Sequence, residues 1–316
     1  MNLLVGDIGG THTRLAIAEV GIGGKLRISP VKRFLNQAHT NLTVTLRNYL
    51  ATQKRLTRAS LAVAGPTDDQ SCNLTNLGWK IDAPQLGAEL GLRLSLLNDF
   101  AAVGWGVGAL TPENVHTLQT GTPHAGAARV VLGAGTGLGV ALCAPQGKIW
   151  RPLPGEGGHI AFAPLDGEQD ALLAFLRTEH RGRVSIERIL SGPGILSLYR
   201  FQCTRLNQTP ALQDSAAIST AALGRSDTAA ETALQLFTRI YAQVAGDLAL
   251  AGGARCGVYL AGGIAPQILP FLRTPAFLEA FLAKGRFTDW MHSVPLHIVL
   301  DPDIGLKGAA LAACDA

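Results

Sequence analysis

The stretch Asp7-Ile8-Gly9-Gly10-Thr11 constrains this chain most, because two consecutive glycines separate two apolar runs. Leu3-Leu4-Val5 before it and Arg14 to Val20 after it read as strands, being short aliphatic runs bounded by turn residues. Strands joined this tightly form a hairpin, and its turn has two readings. Glycine lets backbone N–H groups approach an anion, Thr11 adds a hydroxyl, and Asp7 stands where a carboxylate can orient Mg²⁺ on a polyphosphate. A tight hairpin with an Asx-type turn and no ligand fits the same residues.

A length of 316 residues suggests about two domains. With 47% hydrophobic and 16% charged residues, the chain is globular rather than disordered. The net charge of +4 comes from scattered Lys and Arg, with no basic run of the kind that marks a nucleic-acid arm. The five cysteines, at 72, 143, 203, 256 and 314, include no C-x-x-C and are odd in number, which indicates neither a zinc ribbon nor a disulfide framework. Asp7 breaks the first apolar run, and no later run reaches the ~18 apolar residues of a membrane span. A soluble cytoplasmic protein is expected.

After the hairpin, Gly21 to Gly24 reads as a turn and Leu26 to Phe34 as a third strand. Leu42, Leu46, Tyr49 and Leu50 have helical spacing. Leu61 to Ala64 is a short buried strand stopped by Gly65-Pro66. Asp82 before Pro84 opens a helix that Gly91 ends, and Leu92 to Leu97 is a strand leading to Asn98-Asp99. The glycine-rich Gly104 to Gly108, followed by Thr111-Pro112, marks a candidate domain boundary.

The opening idea then recurs. Val130 to Leu132 is a strand, Gly133 to Gly137 a turn and Leu138 to Leu142 a returning strand, which implies two related domains facing each other. Residues 151–164 carry too much Pro and Gly for a helix and read as a structured loop. Helices are expected at 169–181, at 185–201 with a break at Ser191 to Gly194, and from about 229 to 251, opened by a Thr228-x-x-Glu231 capping box. Gly257 to Leu260 is a strand running into Ala261-Gly262-Gly263, with a helix at Pro266. Phe277 to Leu282 (helix), Leu296 to Leu300 (strand) and Gly305 to Ala313 (helix) close the chain.

Gly133 to Gly139 is not a dinucleotide fingerprint, because the sixth position holds Leu138 and the turn returns to a strand. Nor is there a G-x-x-x-x-G-K. Two Gly/Thr hairpin turns can instead grip a polyphosphate from both sides. Asp99 ends a buried strand, where open α/β sheets place ligands, or it caps a helix beginning at Phe100. Glu156 and His159, three residues apart, can hydrogen-bond neighbouring hydroxyls, ligate a metal or simply be solvated. Glu187, taken alone, reads as an exposed helical residue.

Read together and in order, Asp7-Ile-Gly-Gly-Thr11, Leu97-Asn-Asp-Phe100, Gly133-Ala-Gly-Thr-Gly-Leu-Gly139, Leu153-Pro-Gly-Glu-Gly-Gly-His159, Glu187-Arg-Ile-Leu-Ser-Gly192 and Leu260-Ala-Gly-Gly-Ile264 resemble the bacterial glucokinase family. That family belongs to the hexokinase, actin and Hsp70 ATPase superfamily, and the resemblance runs to Gly305-Leu-Lys-Gly308. It implies an α/β, two-domain actin-like ATPase (ribonuclease H-like) fold with mixed sheets flanked by helices and an active site in the interdomain cleft. The expected domains are a small α/β domain, 1–109 plus 300–316, and a large α+β domain, 110–299.

The implied activity is ATP-dependent phosphorylation of D-glucose at the 6-hydroxyl. Another hexose or N-acetylhexosamine as substrate, or a non-catalytic sugar sensor, are the alternatives. By the same resemblance Gly6, Asp7, Ile8, Gly9, Gly10 and Thr11 form the first phosphate turn, with Asp7 holding Mg²⁺ through water. Gly133, Gly135, Thr136 and Gly137 form the second, and Gly262 and Gly263 belong to the adenosine site. Asn98, Asp99, Glu156, His159 and Glu187 match the glucose-binding positions, and Asp99 also matches the catalytic base. The family commonly has Asn after the turn threonine, where this chain has His12. The zinc-binding cysteine cluster of related repressor–kinases is absent, which places the chain in the zinc-free branch. Expected partners are ATP and D-glucose, with no nucleic acid or membrane, and a homodimer is an open option.

Overall fold

The computed structural model describes residues 1–315 except 22–24, 66, 69, 75, 76 and 154. Most of the Gly21–Gly24 turn, and Pro66 of the Gly65-Pro66 stop, therefore lie outside the described residues. The chain divides into two compact units, one of Met1–Thr111, Gln146–Pro154 and Asp301–Ala316, the other of Pro112–Pro145 and Gly155–Leu300. Residues 146–154, expected in the large domain, thus belong with the first unit.

Elements are numbered along the chain. The first unit holds β1 (Asn2–Ile8), β2 (His12–Val20), β3 (Leu26–Ile28), β4 (Lys32–Leu35), α1 (Leu42–Leu50), β5 (Arg58–Val63), β6 (Ser71–Leu74), β7 (Trp79–Asp82), α2 (Ala83–Leu90), β8 (Arg93–Asn98) and α3 (Asp99–Gly106). Its sheet runs β3-β2-β1-β5-β8, with β4 also on β2. β1 pairs antiparallel with β2 and parallel with β5, which pairs parallel with β8. The single strand expected over 26–34 is two short strands, both paired with β2. Pro30 lies between them and lacks the N–H a continuous ladder needs.

The period-2 alternation of β1 buries both faces of that sheet. Leu4 and Ile8 join a core with Leu46 of α1 and Leu86 of α2. Leu3 and Val5 join another with Ala102 of α3 and with Leu306, Ala309 and Ala310 of the C-terminal helix (α12, Ile304–Asp315). Gly104 to Gly108, a candidate boundary in the sequence, serves close helix packing in part. A Cβ on Gly106 would lie 2.6 Å from the Ile304 side chain, and one on Gly308 would fall inside van der Waals contact with the Ala102 carbonyl. Gly308→Val should therefore destabilise the first unit by about 1–3 kcal/mol, because the backbone has no slack to give. Urea unfolding checks this, and an unchanged midpoint would contradict it.

The second unit begins with β9 (Val115–Gln119), β10 (Arg129–Ala134) and β11 (Leu138–Gln146), whose last residue passes to the first unit, as does β12 (Ile149–Leu153). Then come α4 (Gly167–Glu179), α5 (Gly192–Arg205), α6 (Ser215–Leu223), α7 (Thr228–Gly252), β13 (Val258–Ala261), α8 (Ile264–Gln267), α9 (Leu269–Leu272), α10 (Pro275–Leu282), α11 (Thr288–His292) and β14 (Leu296–Val299). The strands run β11-β10-β13-β14-β9, with β10 antiparallel to β11 and parallel to β13, which is parallel to β14. This repeats β2-β1-β5-β8 in order and direction.

The core of the second unit forms around α7, whose Phe237, Ile240 and Tyr241 are fully buried. The Tyr241 hydroxyl donates to Leu132 O at 3.2 Å, and burial raises its pKa. The cap of α7 is Asp227 rather than Thr228: its Oδ1 accepts from Ala230 N at 2.9 Å, so the helix opens one residue earlier than the expected capping box.

Candidate active site

In the first unit the turn after β1 is closed by Gly9 N–H donating to His12 O at 3.0 Å. Three groups of Asn36 engage its surroundings. The Asn36 backbone N–H donates to Thr11 O at 2.9 Å, its Nδ2 to Gly9 O at 2.8 Å, and its Oδ1 accepts from Thr13 Oγ1 at 2.8 Å. His12, the departure from the family pattern, has Nδ1 at 3.1 Å from Arg33 Nη2.

Asp7 sits opposite Arg14 across the hairpin. Arg14 Nη1 lies 3.5 Å from Asp7 Oδ2 and donates to Pro302 O at 2.8 Å, while Nη2 pairs with Asp303. Burial raises the Asp7 pKa above the usual carboxylate value, and the Arg14 charge works against that rise. Arg14 and Asn36 went unnoticed in the sequence. A lone Asn after a strand carries no periodic signal, whereas Arg14 had one: a tight hairpin register sets it across from Asp7.

The parallel ladder aligns Ile8 with Val63 and Val63 with Asn98. The carboxyl ends of β1 and β8 are therefore two strand spacings apart, about 10 Å. Asn98, not Asp99, caps α3: its Oδ1 accepts from Phe100 N at 2.9 Å and from Ala101 N at 3.0 Å, and its Nδ2 donates to Gly65 O at 3.3 Å. Asp99 is the first helical residue and half-buried, with Oδ1 accepting from Phe100 N at 2.9 Å.

In the second unit the turn Gly135-Thr136-Gly137 joins β10 to β11, with Gly135 N–H donating to Gly137 O at 2.8 Å and Thr136 exposed at the tip. Gly133 lies not in the turn but in the buried ladder, opposite Gly139. Gly262 has φ of +81°, and a Cβ there would come 2.5 Å from Ala134 O. Only glycine allows β13 to end against the base of this turn. Gly263 precedes the short α8.

Taken alone, Glu187 reads as a helix-surface residue, and only the family resemblance assigns it to the sugar. It stands half-buried in a 3-10 turn, Ile186–Arg188, and its Oε2 accepts from Leu138 N at 3.0 Å. The same segment returns to the turn through Gly192 N–H, which donates to Gly135 O at 2.8 Å, before Ser191 caps α5. Glu156 and His159 are exposed on a loop whose next residues run beside this segment. Ile186 N–H donates to Ile160 O at 3.0 Å, and Phe162 N–H to Val184 O at 3.0 Å. A Cβ on Gly157 would lie 2.7 Å from Val140 of β11, so the loop is seated against the strand that leaves the turn. Arg183 Nη2 fixes it further by donating to His159 O at 2.7 Å.

The second unit thus gathers Glu156, His159, Glu187, the 135–137 turn and Gly262; the first gathers Gly6 to Thr11, Asn98 and Asp99. Among the described residues no group of three or more His, Cys, Asp or Glu could hold a metal. One half-buried carboxylate, Asp7, beside a glycine turn suits Mg²⁺, which takes few protein ligands and keeps phosphate and water oxygens. No helix among the described residues is long and apolar enough to cross a membrane.

Two sheets that share a four-strand order, β2-β1-β5-β8 and β11-β10-β13-β14, each with a glycine turn joining its antiparallel pair, define an actin-like ATPase fold, here of the sugar-kinase kind. The Glucokinase family model matches residues 4–316, and the chain belongs to the glucokinase family. It is 38% identical over 335 residues to the glucokinase of Nostoc punctiforme, covering 98% of both chains. Against the glucokinase of Photorhabdus laumondii it is 39% identical over 313 residues, covering 98% of this chain and 96% of that one. It is also similar to the crystal structure of a glucokinase from an Antarctic psychrotroph, with a TM-score of 0.89 and 32% identity over 100% of this chain and 99% of that one.

Proposed function

We propose that this chain transfers the γ-phosphoryl group of ATP to the 6-hydroxyl of D-glucose, with Asp99 as general base. The observation that carries the reading is the register row linking Ile8 to Asn98, which sets a half-buried carboxylate at a helix N-terminus about two strand spacings from a glycine turn. Membership of the glucokinase family supports the substrate pair.

Phosphoryl transfer asks the protein for alignment and charge neutralisation more than covalent chemistry. In this reading backbone N–H groups of Gly9 to Thr11 and Gly135 to Gly137 hold the ATP phosphates. Mg²⁺, when bound at Asp7, supplies charge neutralisation to the phosphate oxygens. Asn98, Glu156, His159 and Glu187 accept and donate hydrogen bonds to the sugar hydroxyls and fix the 6-hydroxyl. Its oxygen forms a bond to the γ-phosphorus as the bridging bond to the β-phosphate breaks and ADP leaves. Asp99 takes the hydroxyl proton late, because an alcohol is far less acidic than a carboxylic acid until its oxygen bonds to phosphorus. Both substrates are small cytoplasmic molecules, and the reading assigns the enzyme to that compartment.

ADP release with a panel of hexoses, with N-acetylhexosamines and with no sugar tests the proposal. Strong dependence on glucose is expected. Equal release without sugar would replace the kinase reading with an ATPase.

A further inference from the structure

We propose that the buried pair Asn36 and Thr13 positions the first phosphate turn and thereby sets the affinity for ATP. The inference rests on the reading of Gly6 to Thr11 as a turn that meets phosphate.

Asn36 is 1% exposed and Thr13 is 0% exposed, so neither polar side chain has water to fall back on. The orientation of the amide follows from its partners. Gly9 O can only accept, so Nδ2 must face it, and Oδ1 then accepts the Thr13 hydroxyl. The Gly9 carbonyl, which cannot donate, keeps the amide from flipping, and the Thr13 hydroxyl anchors its Oδ1 end. The side-chain and backbone N–H groups of Asn36 end on two carbonyls of the same turn, Gly9 O and Thr11 O.

The consequence lies on the other side of those peptide planes. In a trans peptide the C=O and N–H of one planar unit point in opposite directions. Drawing Gly9 O inward to Asn36 therefore aims the Gly10 N–H away from the core, on the side open to a ligand. Drawing Thr11 O toward Asn36 turns the His12 N–H away from β4 in the same manner. A ligand-binding turn of glycines has many accessible conformations, and two tethered carbonyls remove most of them before ATP arrives. Asn36 and Thr13 are thus positioning residues that act through the turn.

Three variants test this: Asn36→Asp, Thr13→Val and Thr11→Ala, each measured for KM of ATP and of glucose, kcat, ADP affinity by calorimetry and thermal midpoint. Asp at 36 can accept from Thr13 but cannot donate to Gly9 O, and its carboxylate faces that carbonyl. It should raise the KM of ATP and weaken ADP at least fivefold, with the KM of glucose held within twofold. Thr13→Val, nearly isosteric and the safer variant for folding, should move the same quantities in the same direction by less.

If both variants keep ATP affinity within twofold while Thr11→Ala loses it, the positioning role is wrong. An equal loss of ATP and glucose affinity would also overturn it, since that is what general loosening of the fold does. If Thr11→Ala too leaves ATP binding unchanged, the phosphate-turn reading itself fails, and the inference with it.

Discussion

Replacing Asp99 with Asn should lower kcat by about 10²- to 10⁴-fold while glucose still binds, the size of a lost general base. The amide has nearly the shape of the carboxylate and its Oδ1 can still accept from Phe100 N–H, so α3 should start as before. What it cannot do is take a proton from the sugar hydroxyl. Steady-state kinetics together with glucose calorimetry check the outcome. A variant with near-normal kcat would remove Asp99 from the chemistry, and one that fails to bind glucose would turn its role into recognition.

The second large effect is expected at Glu187. Its Oε2 is engaged by Leu138 N–H, the first residue after the second glycine turn, and in the proposed reading Oε1 meets the sugar. Glu187→Gln should weaken glucose binding by roughly 10- to 100-fold, the equivalent of one hydrogen bond to a charged group at about 1.5–3 kcal/mol. ATP affinity should change little, because the Gln amide oxygen can keep the Leu138 contact. Glu187→Ala removes both partners and leaves a buried N–H without an acceptor, so it should weaken ATP as well. Calorimetry on both ligands separates these cases. An equal loss of glucose and ATP affinity in the Gln variant would count against a direct sugar contact.

The split between what the sequence revealed and what it hid has physical causes. Both glycine turns and their flanking strands were legible because strand apolar runs and glycine pairs are local signals. The Asp82 start and Gly91 stop of α2 were legible for the same reason. The helix expected over 185–201 begins only at Gly192, because Ile186, Ile189 and Leu190 have helical spacing while Glu187 itself sits in a 3-10 turn, Ile186–Arg188, bonded to Leu138. Asn98 took the capping role allowed to Asp99, and neighbouring Asn and Asp cannot be ranked as caps from sequence alone. The paired β6 and β7 alternate as strands should, but for only four residues each, and α6 is built mostly of small residues, so neither gives a long enough pattern to read. The hairpin register sets Arg14 across from Asp7, but the bond from Arg14 to Pro302 spans 288 residues and that from Asn36 to Gly9 spans 27. Such contacts have no local signature.

The most direct test of the account is the identity of the product. Purified enzyme with ATP, Mg²⁺ and D-glucose should give one new phosphomonoester whose ³¹P resonance is split by two methylene protons, as only a 6-phosphate allows. A doublet from a single neighbouring proton, or inorganic phosphate alone, would contradict transfer to the 6-hydroxyl.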